Sequence, residues 1–160
     1  MRGGGMEEIG AGAWAERVVR TPARGALPLA GSFEITARCN LRCGHCYLPP
    51  ARGQDPLDTA AVLAILDMLA GHGVLVVLLT GGEPLLRDDI EAIAAHAARR
   101  GLLLKVFTNA TRVAASTAAA LKRWRPRRVE VSIYGHTAGT YNRVTGCPGA
   151  FEAFREGVAR

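Results

Sequence analysis

Short apolar runs recur along the chain and predict four β-strands. Residues 74–79, VLVVLL, form an unbroken apolar run, which is typical of a strand buried on both faces of a sheet. Strand-like stretches that mix apolar and polar residues predict further strands over residues 33–37, 102–107 and 128–133. Glycine, asparagine or serine residues close to the ends of these runs mark where the strands should stop.

Stretches with helical spacing of apolar residues lie between and after these strands. A helix with leucines on one face is expected to begin at Asp58, whose side chain is a good cap, and to stop at a glycine at position 71 or 73. The remaining predicted helices cover about residues 88–100, 113–124 and 151–160.

The regular alternation of strand and helix predicts an α/β fold built on a parallel sheet. About four βα units are visible in the sequence. Because right-handed crossovers place the carboxyl ends of all strands on one edge, the polar motifs that follow the strands should form a single site there.

Length and composition exclude several classes of protein. A chain of 160 residues suits one domain, and 49% hydrophobic with 21% charged residues excludes a disordered chain. The sequence predicts no membrane span and no export signal, which favours a cytoplasmic location in which thiols stay reduced. Residues 1–30, rich in Gly, Ala and Arg, are interpreted as a tail with room for one short helix, and residues 31–160 as the core.

Three cysteines follow the first strand with the spacing C-x3-C-x2-C: Cys39, Cys43 and Cys46. Three thiolates on one short loop can bind a single metal centre. A structural zinc site takes four protein ligands, so it would need His45 or Cys147 as well. A 4Fe–4S cluster held by three cysteines suits the loop better, because one iron then stays open for a substrate.

This cysteine motif resembles the signature of the radical S-adenosylmethionine (SAM) enzymes, which bind a catalytic 4Fe–4S cluster after the first strand of a partial (β/α)6 TIM-like barrel. The sequence Gly81-Gly82-Glu83-Pro84 after the second strand is similar to the GGEP motif of the same family. The resemblance covers residue 33 to the C-terminus. It implies that SAM is chelated by the open iron and is cleaved reductively to a 5′-deoxyadenosyl radical.

The resemblance also implies a set of residues that bind SAM. Backbone groups of the GGEP segment would approach the methionine amino group, and Pro84 would rigidify that turn, although Glu83 also suits the start of a helix. Asn109 would contact the ribose. Ser132 and Arg143 would bind the methionine carboxylate. His45 and Tyr47 would border the adenine. Asn109 is also consistent with a simple turn.

The family core has six βα units, so the core at 31–160 is expected to be C-terminally incomplete. Residues 132–152 resemble the SPASM-type branch, which modifies peptides or builds cofactors. The expected partners are therefore SAM, a peptide or cofactor-precursor substrate, and an electron donor such as flavodoxin or ferredoxin. The last strand is expected to leave an exposed edge that promotes self-association.

Two other classes of function are compatible with parts of the sequence. One is an inactive iron–sulfur or zinc-binding remnant, which would hold a metal without cleaving SAM. The other is a nucleic-acid-binding domain, which rests on the net charge of +6 and the basic segment 122–128. That segment lies at a predicted helix end, where cations favour the helix dipole, so nucleic acid is not an expected partner.

Overall fold

The computed structural model describes residues 28–48, 55 and 57–160, and this part of the chain forms an α/β fold. The predicted tail lies outside the described residues up to position 27. Four strands form one parallel sheet in the order β1-β2-β3-β4. The strands are β1 (Ala30–Thr36), β2 (Val76–Gly81), β3 (Leu103–Thr108) and β4 (Arg128–Val131).

Five α-helices accompany the sheet in the described part of the chain. They are α1 (Thr59–Gly71), α2 (Ile90–Arg99), α3 (Ala115–Trp124), α4 (Ala138–Thr145) and α5 (Ala150–Val158). A short 3-10 helix, Pro84–Leu86, follows β2. The prediction of alternating strands and helices around a parallel sheet is confirmed.

Local capping explains where α1 begins and ends. The carboxylate of Asp58 accepts a hydrogen bond from the backbone N–H of Ala61 at 2.8 Å, as predicted for the cap. After the helix, Gly73 adopts φ +84°, a left-handed conformation that glycine allows without steric cost.

Helix α4 was not predicted from the sequence. Its residues, AGTYNRVT, include a glycine, two threonines and a valine, which are weak helix formers. The helix is instead defined by its ends: the hydroxyl of Thr137 accepts a hydrogen bond from the backbone N–H of Thr140 at 3.3 Å, and Gly146 ends the helix at φ +64°. Strand β4 is also shorter than predicted, because it ends at Val131.

The hydrophobic core has two parts. One lies between the sheet and helices α1 and α2 and includes Val62, Leu66, Leu79 and Ile93. The other joins the cysteine loop to α4 and α5. Strand β2 is fully buried on one side only, because Val76 and Leu78 on its other side are half-buried, so the prediction of burial on both faces is only partly correct.

The register of the sheet brings the carboxyl ends of the strands together. Thr36 pairs with Gly81, and Thr108 pairs with Val131. The pairing of β1 with β2 has a register irregularity between Glu34 and Thr36. Among the described helices, none is long and apolar enough to cross a membrane.

Candidate functional site

A cavity of about 330 Å³ opens at the carboxyl ends of the strands. Most of the residues that the sequence singled out line it: Cys39, Cys43, His45, Cys46, Tyr47, Gly81, Gly82, Asn109 and Ser132. The motifs that follow all four strands therefore meet in one place.

Three of the predicted site residues do not line this cavity. Glu83 and Pro84 are buried. Arg143 lies on α4 and is exposed. The structure therefore does not bring the guanidinium of Arg143 to the cavity wall, and its role towards a carboxylate stays a prediction.

The cysteine loop is attached to the end of α4. The backbone N–H of Arg42 donates to the carbonyl of Thr145 at 2.8 Å, and that of Gly44 donates to Val144 at 3.2 Å. The side chain of Leu41 is buried in the second part of the core. These contacts fix the middle of the loop, between the first and third cysteines.

Two of the three thiols are partly buried among acidic neighbours. Burial raises the pKa of Cys39, and Glu83 and Cys46 raise it further. Burial also raises the pKa of Cys43, and Cys39 and Cys46 raise it further. Cys39 and Cys43 therefore keep their protons more firmly than a free cysteine does. Iron or zinc binds the thiolate, so metal binding at this loop must release protons.

The donor set fits an iron–sulfur cluster better than a single small ion. The three thiols line one cavity and are free of disulfides. Within the described residues, however, no three His, Cys, Asp or Glu side chains lie close enough together to hold one metal ion. A cluster is larger than one ion and can be reached by thiols that are spread around a cavity wall.

Gly81, the last residue of β2, and Gly82, the residue after it, are required by close contact with the chain itself. A Cβ atom on Gly81 would lie 2.0 Å from the carbonyl oxygen of Thr36, and one on Gly82 would lie 2.3 Å from that of Arg38. Hydrogen bonds hold this contact: Gly82 N–H donates to Thr36 at 2.9 Å and Glu83 N–H to Arg38 at 2.8 Å. This reason for the glycines was missed in the sequence, because it depends on a distant segment.

Glu83 links the ends of β2 and β3. Its carboxylate accepts hydrogen bonds from the hydroxyl of Thr108 at 2.7 Å, from Asn109 N–H at 2.7 Å and from Leu85 N–H at 3.1 Å. Burial raises its pKa, and the three hydrogen bonds oppose this effect. The bond to Leu85 confirms that Glu83 also caps a helix start, which here is the 3-10 helix that Pro84 begins.

Asn109 connects β3 to the cysteine loop. Its side-chain oxygen accepts from the backbone N–H of Thr111 at 2.9 Å, which confirms the turn interpretation. Its amide group donates to Asn40 at 3.2 Å and approaches the sulfur of Cys39 at 3.9 Å. The contact with ribose stays a prediction.

A buried arginine behind the site was not predicted. Arg87 is 5% exposed and binds both oxygens of Asp89 at 2.6 and 2.7 Å. It also donates to the carbonyl oxygen of Ile35 at 2.7 Å. Asp55 in turn binds Arg38, the residue before the first cysteine, at 2.9 Å. This network ties the start of the cysteine loop to the segment after β2.

Tyr134 is a further lining residue that sequence reasoning missed. Its ring lies 5.3 Å from the ring of His45 and 5.6 Å from that of Tyr141. The only sequence signal was its position two residues after Ser132, just beyond the end of the fourth strand.

Comparison with known proteins assigns the chain to a protein superfamily. Residues 33–160 match the radical SAM superfamily, and the chain belongs to that superfamily. It is 31% identical over 131 residues to an AdoMet-dependent heme synthase of Nitratidesulfovibrio vulgaris, covering 79% of this chain and 35% of that protein. It is 36% identical over 125 residues to a PqqA peptide cyclase of Rhodopseudomonas palustris, covering 77% and 33%, respectively.

Solved structures show the same fold at lower identity. SuiB of Streptococcus suis, bound to its precursor peptide SuiA, superposes with a TM-score of 0.67 at 22% identity, over 82% of this chain and 31% of that chain. SuiB bound to S-adenosylmethionine gives a TM-score of 0.66 at 22% identity, over 82% and 32%. The chain spans about a third of the length of the curated relatives named above.

Proposed function

We propose that this domain binds a 4Fe–4S cluster through Cys39, Cys43 and Cys46 and cleaves SAM reductively. The observation that supports this most strongly is the meeting of the three thiols and the Gly81-Gly82 backbone in one cavity at the carboxyl edge of the sheet. The cluster would supply the electron that breaks the sulfonium bond of SAM and releases a 5′-deoxyadenosyl radical.

The residues of the cavity divide the remaining work of binding SAM. The backbone of Gly81 and Gly82 is open to the cavity and can meet the methionine amino group. Asn109 is suited to the ribose hydroxyls, because its amide already points at the cysteine loop. The flat side chains of His45 and Tyr47 would border the adenine, and Tyr47 is 79% exposed before any ligand is bound.

The methionine carboxylate is assigned to Ser132 and Arg143. Ser132 lies on the cavity wall, and its backbone N–H donates to Thr108 at 3.1 Å. Arg143 is exposed on α4, so its side chain would have to turn towards the ligand. A forked guanidinium binds a carboxylate through two hydrogen bonds, which suits this role.

The four parallel strands are proposed to be part of a partial (β/α)6 barrel. The heme synthase and peptide cyclase relatives support a role in cofactor biosynthesis or peptide modification. A reductant of the flavodoxin or ferredoxin type is the proposed electron donor. A cytoplasmic location stays a prediction, and thiols would stay reduced there and free to bind a metal.

Anaerobic reconstitution with iron and sulfide tests the cluster. We expect about four iron and four sulfide per chain. The Cys43→Ser variant should lose most of this iron, whereas Cys147→Ser is the matched control and should retain it, although its sulfur lies 3.5 Å from the Asn40 carbonyl of the same loop. Uptake of one zinc per chain without iron would refute the cluster and favour the zinc-binding remnant.

Reductive cleavage tests the enzyme activity separately. The reconstituted protein, reduced with dithionite in the presence of SAM, should release 5′-deoxyadenosine and methionine. A protein that holds the full cluster but neither binds nor cleaves SAM would be an inactive iron–sulfur remnant. The two measurements thus test cluster binding and SAM cleavage independently of each other.

A further inference from the structure

Tyr134 lines the cavity but has no role in the binding of SAM or of the cluster proposed above. Its side chain is half-buried and forms a hydrogen bond with the side chain of Cys43, the second cysteine of the loop. A phenylalanine would provide the same ring without this bond. The contact between the hydroxyl and the sulfur is therefore the feature of Tyr134 that requires an explanation.

The ring of Tyr134 is fixed between the cysteine loop and helix α4. It lies 5.3 Å from the ring of His45 and makes an edge contact with the ring of Tyr141 at 5.6 Å. The residue after it, Gly135, lies so close to α4 that a Cβ atom there would be 2.9 Å from the methyl carbon of Thr140. A larger residue at position 135 would push the segment that carries Tyr134 away from the helix.

The same helix anchors the cysteine. Cys43 lies between Arg42 and Gly44, whose backbone N–H groups donate to carbonyl groups in the last turn of α4 at 2.8 and 3.2 Å. Cys43 and Tyr134 also pack against the same hydrophobic cluster. Because both residues are fixed relative to one helix, their contact is built into the fold and requires no movement of the ring or of the loop.

We propose that the Tyr134 hydroxyl donates a hydrogen bond to the sulfur of Cys43 when that sulfur is a cluster ligand, and thereby raises the reduction potential of the cluster. The inference rests on the proposed function, since it requires the cluster. The ordinary pKa of a tyrosine hydroxyl is about 10, so the hydroxyl carries its proton at neutral pH and can donate it. A thiolate is charged and accepts a much stronger hydrogen bond than a neutral thiol does.

This hydrogen bond acts on the cluster through charge. Hydrogen bonds to the sulfur ligands are one of the factors that set the reduction potential of an iron–sulfur cluster. Reduction adds negative charge to the cluster and its ligands, so a donor at Cys43 stabilises the reduced form more than the oxidised form. Tyr134 is thus a positioning residue, which acts through Cys43 and makes the electron needed for SAM cleavage easier to accept.

The Tyr134→Phe variant tests this, because it removes the hydroxyl and keeps the ring. The reconstituted variant should hold as much iron as the wild-type protein does, and its reduction potential should shift to a more negative value. The potential is measured by anaerobic redox titration followed by electron paramagnetic resonance of the reduced cluster. The midpoint of the titration does not depend on the fraction of chains that carry a cluster, so partial iron uptake leaves the test decisive.

Tyr141→Phe is the matched control, since it removes a second hydroxyl from the ring that packs against Tyr134. This hydroxyl is buried and, within the described part of the chain, has no hydrogen-bond partner. The control should leave the potential unchanged. A merely structural role of the tyrosine rings would not separate the two variants in this way.

Three results would overturn the inference. They are a potential of Tyr134→Phe that is unchanged or less negative, an equal shift in both variants, and complete loss of iron from Tyr134→Phe, which would mean that the hydroxyl holds the cluster rather than tunes it. Failure of the wild-type chain to take up iron would instead refute the proposed function, so the two failures are distinguishable.

Discussion

The carboxylate of Glu83 accepts the backbone N–H of Asn109 at 2.7 Å. This single bond joins the segment after β2 to the end of β3. Gly82, Thr108 and Asn109, which lie next to it, line the cavity. With the bond from Thr108, it makes a buried carboxylate the link between two adjacent strand ends. The shape of the cavity therefore depends on a residue that does not line it.

The Glu83→Ala variant should be strongly destabilised. The change leaves the donors of Thr108, Asn109 and Leu85 without an acceptor in a buried position. We expect a loss of about 3 kcal/mol in the free energy of unfolding, measured by chemical denaturation. The control Glu91→Ala removes an exposed carboxylate and should change it by less than about 0.5 kcal/mol. Equal effects in the two variants would contradict the linking role of Glu83.

Gly82→Ala should disrupt the site through the backbone. The added Cβ would lie 2.3 Å from the Arg38 carbonyl, so the strand ends must separate next to the first cysteine. We expect lower iron uptake on reconstitution and a lower melting temperature. Gly71→Ala is the control, because nothing lies within 4 Å of a Cβ there, and it should behave as the wild-type chain does. Normal iron uptake by Gly82→Ala would count against this packing argument.

Asp89 should make stability depend on pH in the acid range. Its hydrogen bonds from Arg87 lower the pKa of its carboxyl to about 2 from the ordinary 3.8. A lowered pKa in the folded state means that the stabilisation is complete above pH 3.8 and is lost as pH falls towards 2. The contribution at neutral pH is roughly 2 kcal/mol.

The Asp89→Asn variant should therefore be less stable than the wild-type chain at pH 7, and the difference should shrink between pH 4 and pH 2. Denaturation curves at a series of pH values measure it. The control is Asp88→Asn, at the exposed residue one position earlier. A difference between wild type and Asp89→Asn that does not depend on pH would show that the carboxylate charge is unimportant.

The free edge of β4 should cause self-association. Within the described residues β4 pairs only with β3, and Val129 on it is 37% exposed. Unpaired strand edges with apolar side chains are common sites of chain-to-chain pairing. We expect oligomers of the wild-type chain in size-exclusion chromatography at high concentration. Val129→Lys should shift the chain towards the monomer, and a monomeric wild-type chain would contradict this prediction.

Much of the fold could be predicted because its signals are local. An unbroken apolar run marked β2, strand-like stretches marked the other strands, and the cap at Asp58 marked the start of α1. Helix α4 was not predicted, because its residues have weak helix propensity and its stability comes from Tyr141 packing into the core. Secondary structure that depends on tertiary contacts leaves little trace in the pattern of the segment itself.

In the site, too, features with a local sequence signal could be predicted and features that depend on tertiary contacts could not. The three cysteines and the two glycines of the GGEP segment, which line the cavity, could be recognised in the sequence because each set forms a short motif of fixed spacing. Arg87 joins separate segments through its bonds to the carbonyl oxygens of Ile35 and Leu57, and the contact between Asp55 and Arg38 does the same. Charged residues of this kind are usually solvated. Their burial could be seen only in the folded chain.

The attachment of Arg42 and Gly44 to the end of α4 has a consequence for how the protein is made. During synthesis the cysteines emerge from the ribosome well before Thr145, so the loop lacks its anchor at that time. The closing contact is long-range and forms late, since a large loop must be ordered first. Iron–sulfur assembly factors would therefore meet a finished binding loop only after the chain has been synthesised at least as far as α4.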